Sequence, residues 1–115
     1  MKHNLLKFKH LFVALLLLCA TVATAHDFEV DGIFYNITDE TNKTVAVTYK
    51  GDSYNDYSDR YTGSVVIPET VEYNDVVYSV TSIGGDAFRY CRGITSVVIP
   101  KSVASVGDYA FYNCI

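Results

Sequence analysis

The chain has 115 residues, a formal net charge of −4, ten tyrosines, no tryptophan and 50 % hydrophobic residues, enough for one domain with a modest core. All thirteen carboxylates fall after residue 25, against six cations there (Lys43, Lys50, Arg60, Arg89, Arg92 and Lys101), so this part carries a formal charge of −7. A surface that acidic repels phosphate backbones and anionic bilayers, which argues against nucleic acid and membrane surfaces as partners.

Residues 1–25 read as an export signal. Lys2, Lys7 and Lys9 form a positive start, Leu11 to Leu18 an apolar stretch, and Ala23-Thr24-Ala25 a small-residue cleavage site. The apolar run from Leu11 to Ala25 is 15 residues long, short of the roughly 18–20 that span a bilayer. Cleavage leaves His26 as the new N-terminus of an exported 90-residue chain with no membrane insertion. Cys19 raises the alternative of a lipid anchor, but it follows Leu18, where lipidation prefers a small residue.

Residues 26–63 are expected to form an N-terminal antiparallel β cap with an exposed loop. Phe28-Glu29-Val30 and Ile33-Phe34-Tyr35, continuing to Ile37, flank Asp31-Gly32, a strong signal for a type I′ hairpin because both turn positions need positive φ. Thr44 to Tyr49 alternates, with Val45, Val47 and Tyr49 predicted on one side. From Lys50 to Gly63 the pattern breaks: Asp52, Asp56 and Asp59 mix with Tyr54, Tyr57 and Tyr61. This long segment is predicted to be exposed and ordered by tyrosines packing back on the meander.

Residues 64–115 repeat. Val80-Thr81-Ser82-Ile83-Gly84 through Ala87-Phe88 and Cys91 returns as Val103-Ala104-Ser105-Val106-Gly107 through Ala110-Phe111 and Cys114, every pair 23 residues apart. Val65-Val66-Ile67-Pro68 returns as Val97-Val98-Ile99-Pro100 at a separation of 32. The excess falls around Tyr73-Asn74-Asp75-Val76, predicted to be an extra hairpin in a modified first coil, 64–93, ahead of an incomplete second coil, 94–115. A period of this length implies a solenoid whose coils bury their apolar edges on one another. Val97 and Ile99 should face inward and Val98 outward. Pro100 ends that strand, and Gly84 and Gly107 occupy corners too tight for a β-carbon. Asp108 and Asp86 are expected to cap short helical turns that aim Ala110, Phe111 and Cys114 inward. Cys91 and Cys114, stacked with parallel Cβ vectors, are expected to stay free thiols.

The pattern I-x-x-V-x-I-P-x-x-V-x-x-V-G-x-x-A-F-x-x-C, from Ile94 to Cys114, resembles the BspA-type leucine-rich repeat, with Ile94, Val97 and Ile99 in the leucine positions. The resemblance covers Val80 to Ile115 directly and reaches Ser64 through the modified coil. It implies a mainly β leucine-rich-repeat solenoid with an N-terminal β cap, truncated at its C-terminal end, in a protein exported or displayed on a bacterial surface. It also implies non-catalytic binding of a protein ligand, a host matrix or surface protein, as an adhesin would. The competing expectation is a cap and spacer for a functional domain beyond residue 115. Stopping within a coil, with Val97, Ile99, Phe111 and Cys114 facing an uncovered end, the isolated mature chain is expected to be marginal or self-associating.

No catalytic, cofactor-binding or metal-binding residue is expected. His26 is the one histidine after residue 25, too few for a Ser-His-Asp or Cys-His pair or for a copper brace. Cys91 and Cys114 alone cannot close a tetrahedral metal shell, and Asp52, Asp56 and Asp59 lack the alternating spacing of a Ca²⁺ loop. The outward tyrosines Tyr90, Tyr109 and Tyr112 and the strand residues Ser96 and Val98 remain as candidates for contact with a partner.

Overall fold

The computed structural model describes residues 26–55 and 59–114. The leader with Cys19, the loop residues Asp56 and Tyr57, and Ile115 lie outside the described residues. The described chain is mainly β. Its strands are β1 (Phe28–Val30), β2 (Ile33–Asp39), β3 (Thr44–Thr48), β4 (Gly63–Val66), β5 (Thr70–Tyr73), β6 (Val76–Ile83), β7 (Ile94–Val98) and β8 (Ser105–Val106).

Both predicted hairpins form. Asp31 and Gly32 take φ of 52° and 86° between β1 and β2, and Asn74 and Asp75 take 52° and 64° between β5 and β6, the left-handed pair that a type I′ turn requires. β1, β2 and β3 make the antiparallel meander, with Tyr35 opposite both Phe28 and Val47. Ile33 and Tyr35 are buried as the alternation predicts, with Ile37 packed at the margin of the same core.

The meander does not stop at β3. That strand runs parallel to β6, pairing Val45 with Val80 and Val47 with Ile83, and β6 in turn runs parallel to β8, pairing Ile83 with Val106. One sheet therefore passes from the meander into the 23-residue repeats, with β3 alongside β6 as β6 is alongside β8. Since β3 has a neighbour on each edge and cover on each face, Ala46 and Thr48 are buried beside Val45 and Val47. A second, two-stranded parallel sheet joins β4 to β7 at the predicted offset, Val65 against Val97 and Val66 against Val98.

Where helical turns were expected after Gly84 and Gly107, there are none. Each segment is a chain of three turns closing at two-residue steps. The Ala87, Arg89 and Cys91 N–H groups donate to the Gly84, Asp86 and Phe88 carbonyls, and the Ala110, Tyr112 and Cys114 N–H groups to those of Gly107, Tyr109 and Phe111. Positive φ at Asp86 and Tyr90, repeated 23 residues on at Tyr109 and Asn113, is incompatible with a helix. The cap role given to Asp86 and Asp108 therefore falls away; the Asp86 carboxylate instead accepts from Arg89 at 3.2 Å. The kinked backbone frees every second N–H for the next layer. Asp86, Phe88 and Tyr90 donate to Asp108, Ala110 and Tyr112 at 3.0, 2.7 and 2.8 Å. Phe88 stacks on Phe111 at 5.2 Å with planes 6° apart.

Tyr61 locks the two parts together. Only 4 % exposed, it donates its hydroxyl to the Thr48 carbonyl at 2.7 Å and accepts the Phe34 N–H at 2.9 Å, while its ring meets Phe88 at 4.9 Å. The loop it belongs to is thus held by a tyrosine folded back on the meander, as its composition predicts.

These buried phenols make stability sensitive to alkali. Burial, reinforced by Asp31, pushes Tyr35 up to about 12, and burial likewise raises Tyr61. Both folded values lie above the ordinary phenol value of about 10, so the stabilisation is complete below that pH and is lost as pH climbs toward and past the folded values. The urea midpoint should hold steady from about pH 7 to 9 and fall steeply above about pH 10, with a shallower fall in Tyr35→Phe. A midpoint that rises above pH 10 would contradict this assignment.

Candidate interaction surface

The layer-to-layer ladder sets which side chains reach solvent. Residues 23 apart lie over one another, so Arg89 sits beside Tyr112, and the same turns bring up Tyr90 and Tyr109. The Arg89 guanidinium carbon lies 5.1 Å from the Tyr112 ring centre, 5.2 Å from Tyr109, 5.5 Å from Tyr90 and 5.4 Å from Tyr54 of the long loop. The rings brace one another edge to face: Tyr90 on Tyr112 at 5.7 Å and Tyr109 on Tyr112 at 5.5 Å. Arg92 lies 5.6 Å from Tyr90. Tyr54, Tyr109 and Tyr112 are exposed, Tyr109 by 61 %.

This is a patch of large amphipathic rings held in place by a cation they share. Contacts among side chains already packed on one another lower the entropy cost of binding. Of the tyrosines singled out from sequence, Tyr90 is half-buried within the cluster and Tyr109 and Tyr112 face outward. Sequence reasoning missed Arg89 as the centre, although its 23-residue separation from Tyr112 carried the signal.

The β4–β7 sheet presents a second exposed strip. Val66 and Val98 are 62 % and 52 % exposed, and the Ser64 and Ser96 hydroxyls bond across the strands at 2.9 Å. Val98 faces outward as predicted. Ile99, expected inward, is 44 % exposed, whereas its counterpart Ile67 is 2 % exposed; Ile67 has the β7 layer over it, and no described residue lies over Ile99 in the same way.

The chemically active residue types are occupied otherwise. Cys91 is buried and Cys114 half-buried, both free, and burial raises both thiols. The Cys114 Sγ donates to the Phe88 carbonyl at 2.7 Å; Cys91 packs in the core cluster and Cys114 against it. Asp59 pairs with Lys50 at 3.5 Å, and among the described residues no group of three metal-ligating side chains converges. His26 lies edge-on to Phe34 at 4.4 Å.

Comparison with known proteins places these features. Residues 60–115 match the model of the BspA type leucine rich repeat region (6 copies). A leucine-rich repeat protein from Bacteroides ovatus is 39 % identical, with a TM-score of 0.64 over 77 % of this chain and 21 % of that one. A leucine-rich repeat protein from Bacteroides capillosus is 27 % identical, with a TM-score of 0.57 over 76 % of this chain and 58 % of that one. A leucine rich cell surface protein from Faecalibacterium prausnitzii is 26 % identical, with a TM-score of 0.55 over 83 % of this chain and 22 % of that one. The chain thus spans about a fifth of the length of two of these proteins and less than two thirds of the third. No curated protein matches it.

Proposed function

We propose, from the premise that residues 60–115 belong to the BspA-type leucine-rich repeat family, that this is an exported, surface-displayed protein that binds another protein and catalyses nothing. In this reading residues 1–25 direct export, residues 26–63 cap the stack, and residues 64–115 begin a solenoid of 23-residue coils. The partner is a host matrix or surface protein, and the role is adhesion. The observation that carries the reading is the tyrosine cluster on Arg89. Tyrosine and arginine are the residue types in which interface energy concentrates, and here four rings are braced around one guanidinium. Leucine-rich repeat domains commonly bind proteins, and the Faecalibacterium relative is a cell surface protein, which supports export.

The test is a binding assay of the full-length protein on immobilised host matrix proteins. Tyr109→Ala with Tyr112→Ala should cost about 2 kcal/mol or more, some thirtyfold in affinity, if they are hot spots, while the melting temperature stays close to that of the parent. No matrix partner at all would sink the adhesin reading. The second reading, a cap and spacer for a domain beyond residue 115, draws on the way β3 templates β6 and β8. It predicts a partner whose affinity is unchanged by the double substitution.

A further inference from the structure

The two sheets differ by one layer. In the larger sheet β3, β6 and β8 run parallel in three successive layers, but in the smaller only β4 and β7 do. The outer edge of β7 points the way the repeats advance. The outer edge of β4 points back toward the meander, where the larger sheet has β3 and the smaller has no strand among the described residues.

β4 is poorly defended against pairing. Its residues Gly63, Ser64, Val65 and Val66 include no charge and no proline, whereas the edge strands β1 and β5 carry Glu29 and Glu72. The Gly63 and Ile67 N–H groups donate toward β7, to Gly93 and Val98 carbonyls at 2.9 and 3.0 Å. The two-residue alternation of a strand turns the N–H and C=O groups of Ser64 and Val66 to the opposite side. On that side lies a trough: cavities of about 420 and 220 Å³ that share Asp31, Ile33 and Val66 as walls. Val30, Pro68 and Val71 make its floor apolar, and Asp31 and Glu72 supply carboxylates. Lys50, the one cation among the described residues of its walls, pairs with Asp59 at 3.5 Å.

We propose that this trough takes an extended basic segment of a partner protein as an added strand on β4. The Ser64 and Val66 backbone groups supply the ladder, alternate apolar side chains fill the Val30–Val71 wall, and the intervening lysines or arginines meet Asp31 and Glu72. The four residues of β4 set a contact about 13 Å long, and Pro68 closes its far end. The surface is distinct from the Arg89 cluster and uses backbone where that patch uses rings, so either assignment can fail alone.

The experiment titrates the full-length protein with eight-residue peptides of alternating Lys-Val, Thr-Val or Glu-Val, read by fluorescence anisotropy and by amide exchange. The Lys-Val peptide should bind tightest and slow exchange at Ser64 and Val66 at least tenfold. Val66→Pro removes a trough-facing N–H and leaves the β7 ladder in place. It should weaken binding at least tenfold while Gly63 and Ile67 stay protected. Should that variant misfold, Asp31→Asn with Glu72→Gln provides the test on an intact backbone, bringing Lys-Val affinity down to that of Thr-Val. Equal affinity for the Lys-Val and Glu-Val peptides, or no change in exchange at Ser64 and Val66, overturns the proposal. So does a concentration-dependent dimer that protects those two amides without peptide, which gives the edge to a second copy of the chain.

Discussion

Tyr61→Ala should cost about 3–5 kcal/mol, the usual range for emptying a buried aromatic site, a large share of the about 5–15 kcal/mol total stability of a domain at 25 °C. Three independent losses converge there. The ring is 4 % exposed and packs on Phe88 at 4.9 Å, so truncation opens a cavity between the meander and the Phe88 turn. The hydroxyl bridges the Phe34 N–H and the Thr48 carbonyl, and both are left without that partner. The loop from Lys50 to Gly63 then loses its anchor on the meander and regains conformational entropy. Tyr61→Phe separates the terms: it keeps the packing and should cost about 1–3 kcal/mol for the stranded donor and acceptor alone. Urea denaturation followed by circular dichroism reads both. A Tyr61→Ala chain within about 1 kcal/mol of the parent would show that the cap and the repeats hold together without this residue.

How much of this was legible depended on whether a residue's conformation was set by its neighbours in sequence or by the next layer. The hairpins at Asp31-Gly32 and Asn74-Asp75 were readable because their positive φ values follow from local turn chemistry. The repeat itself was readable because Val80, Gly84, Phe88 and Cys91 recur at a fixed distance. The turn segments were not. Positive φ at Tyr90 and Tyr109 has no local cause, since tyrosine has no preference for that region. It goes with the ladder between the two segments, in which the Asp86, Phe88 and Tyr90 N–H groups donate and the Asp108, Ala110 and Tyr112 carbonyls accept. The parallel pairing of β3 with β6 was also hidden, because period-two alternation says which face is buried and not which strand lies alongside. A hint existed in Val45-Ala46-Val47, apolar at three consecutive positions, as a strand covered on both faces tends to be. Of the candidate surface, the tyrosines were visible in composition, but their gathering on Arg89 needed the layers to be stacked first.

Gly107→Ala should be the most damaging glycine substitution in the described chain, at about 3 kcal/mol or more for forced overpacking. As the sequence predicts, a β-carbon does not fit at this corner, and what it would strike is the preceding layer. A β-carbon at Gly107 would stand 2.5 Å from the Gly85 nitrogen and 2.9 Å from both the Gly84 carbonyl carbon and the Gly85 Cα. All three are backbone atoms of the preceding layer, so no side chain can swing aside. At Gly84 the same role is played against the cap, milder, with the Val47 carbonyl oxygen 3.0 Å away. Gly32 is the control: its φ is +86° but nothing lies within 4 Å, so alanine there meets backbone strain alone, about 1–2 kcal/mol. The predicted order of urea midpoints is therefore Gly32→Ala highest, then Gly84→Ala, then Gly107→Ala. Because the Gly107 clash lies between layers, hydrogen exchange should locate it. In Gly107→Ala the Phe88 and Tyr90 amides, which donate to Ala110 and Tyr112, should lose protection, while the Val80 amide, which donates to the Glu69 carbonyl, keeps it. Uniform loss of protection at all three amides would mean that the layers do not open separately, and that close approach at Gly107 is a property of the whole fold.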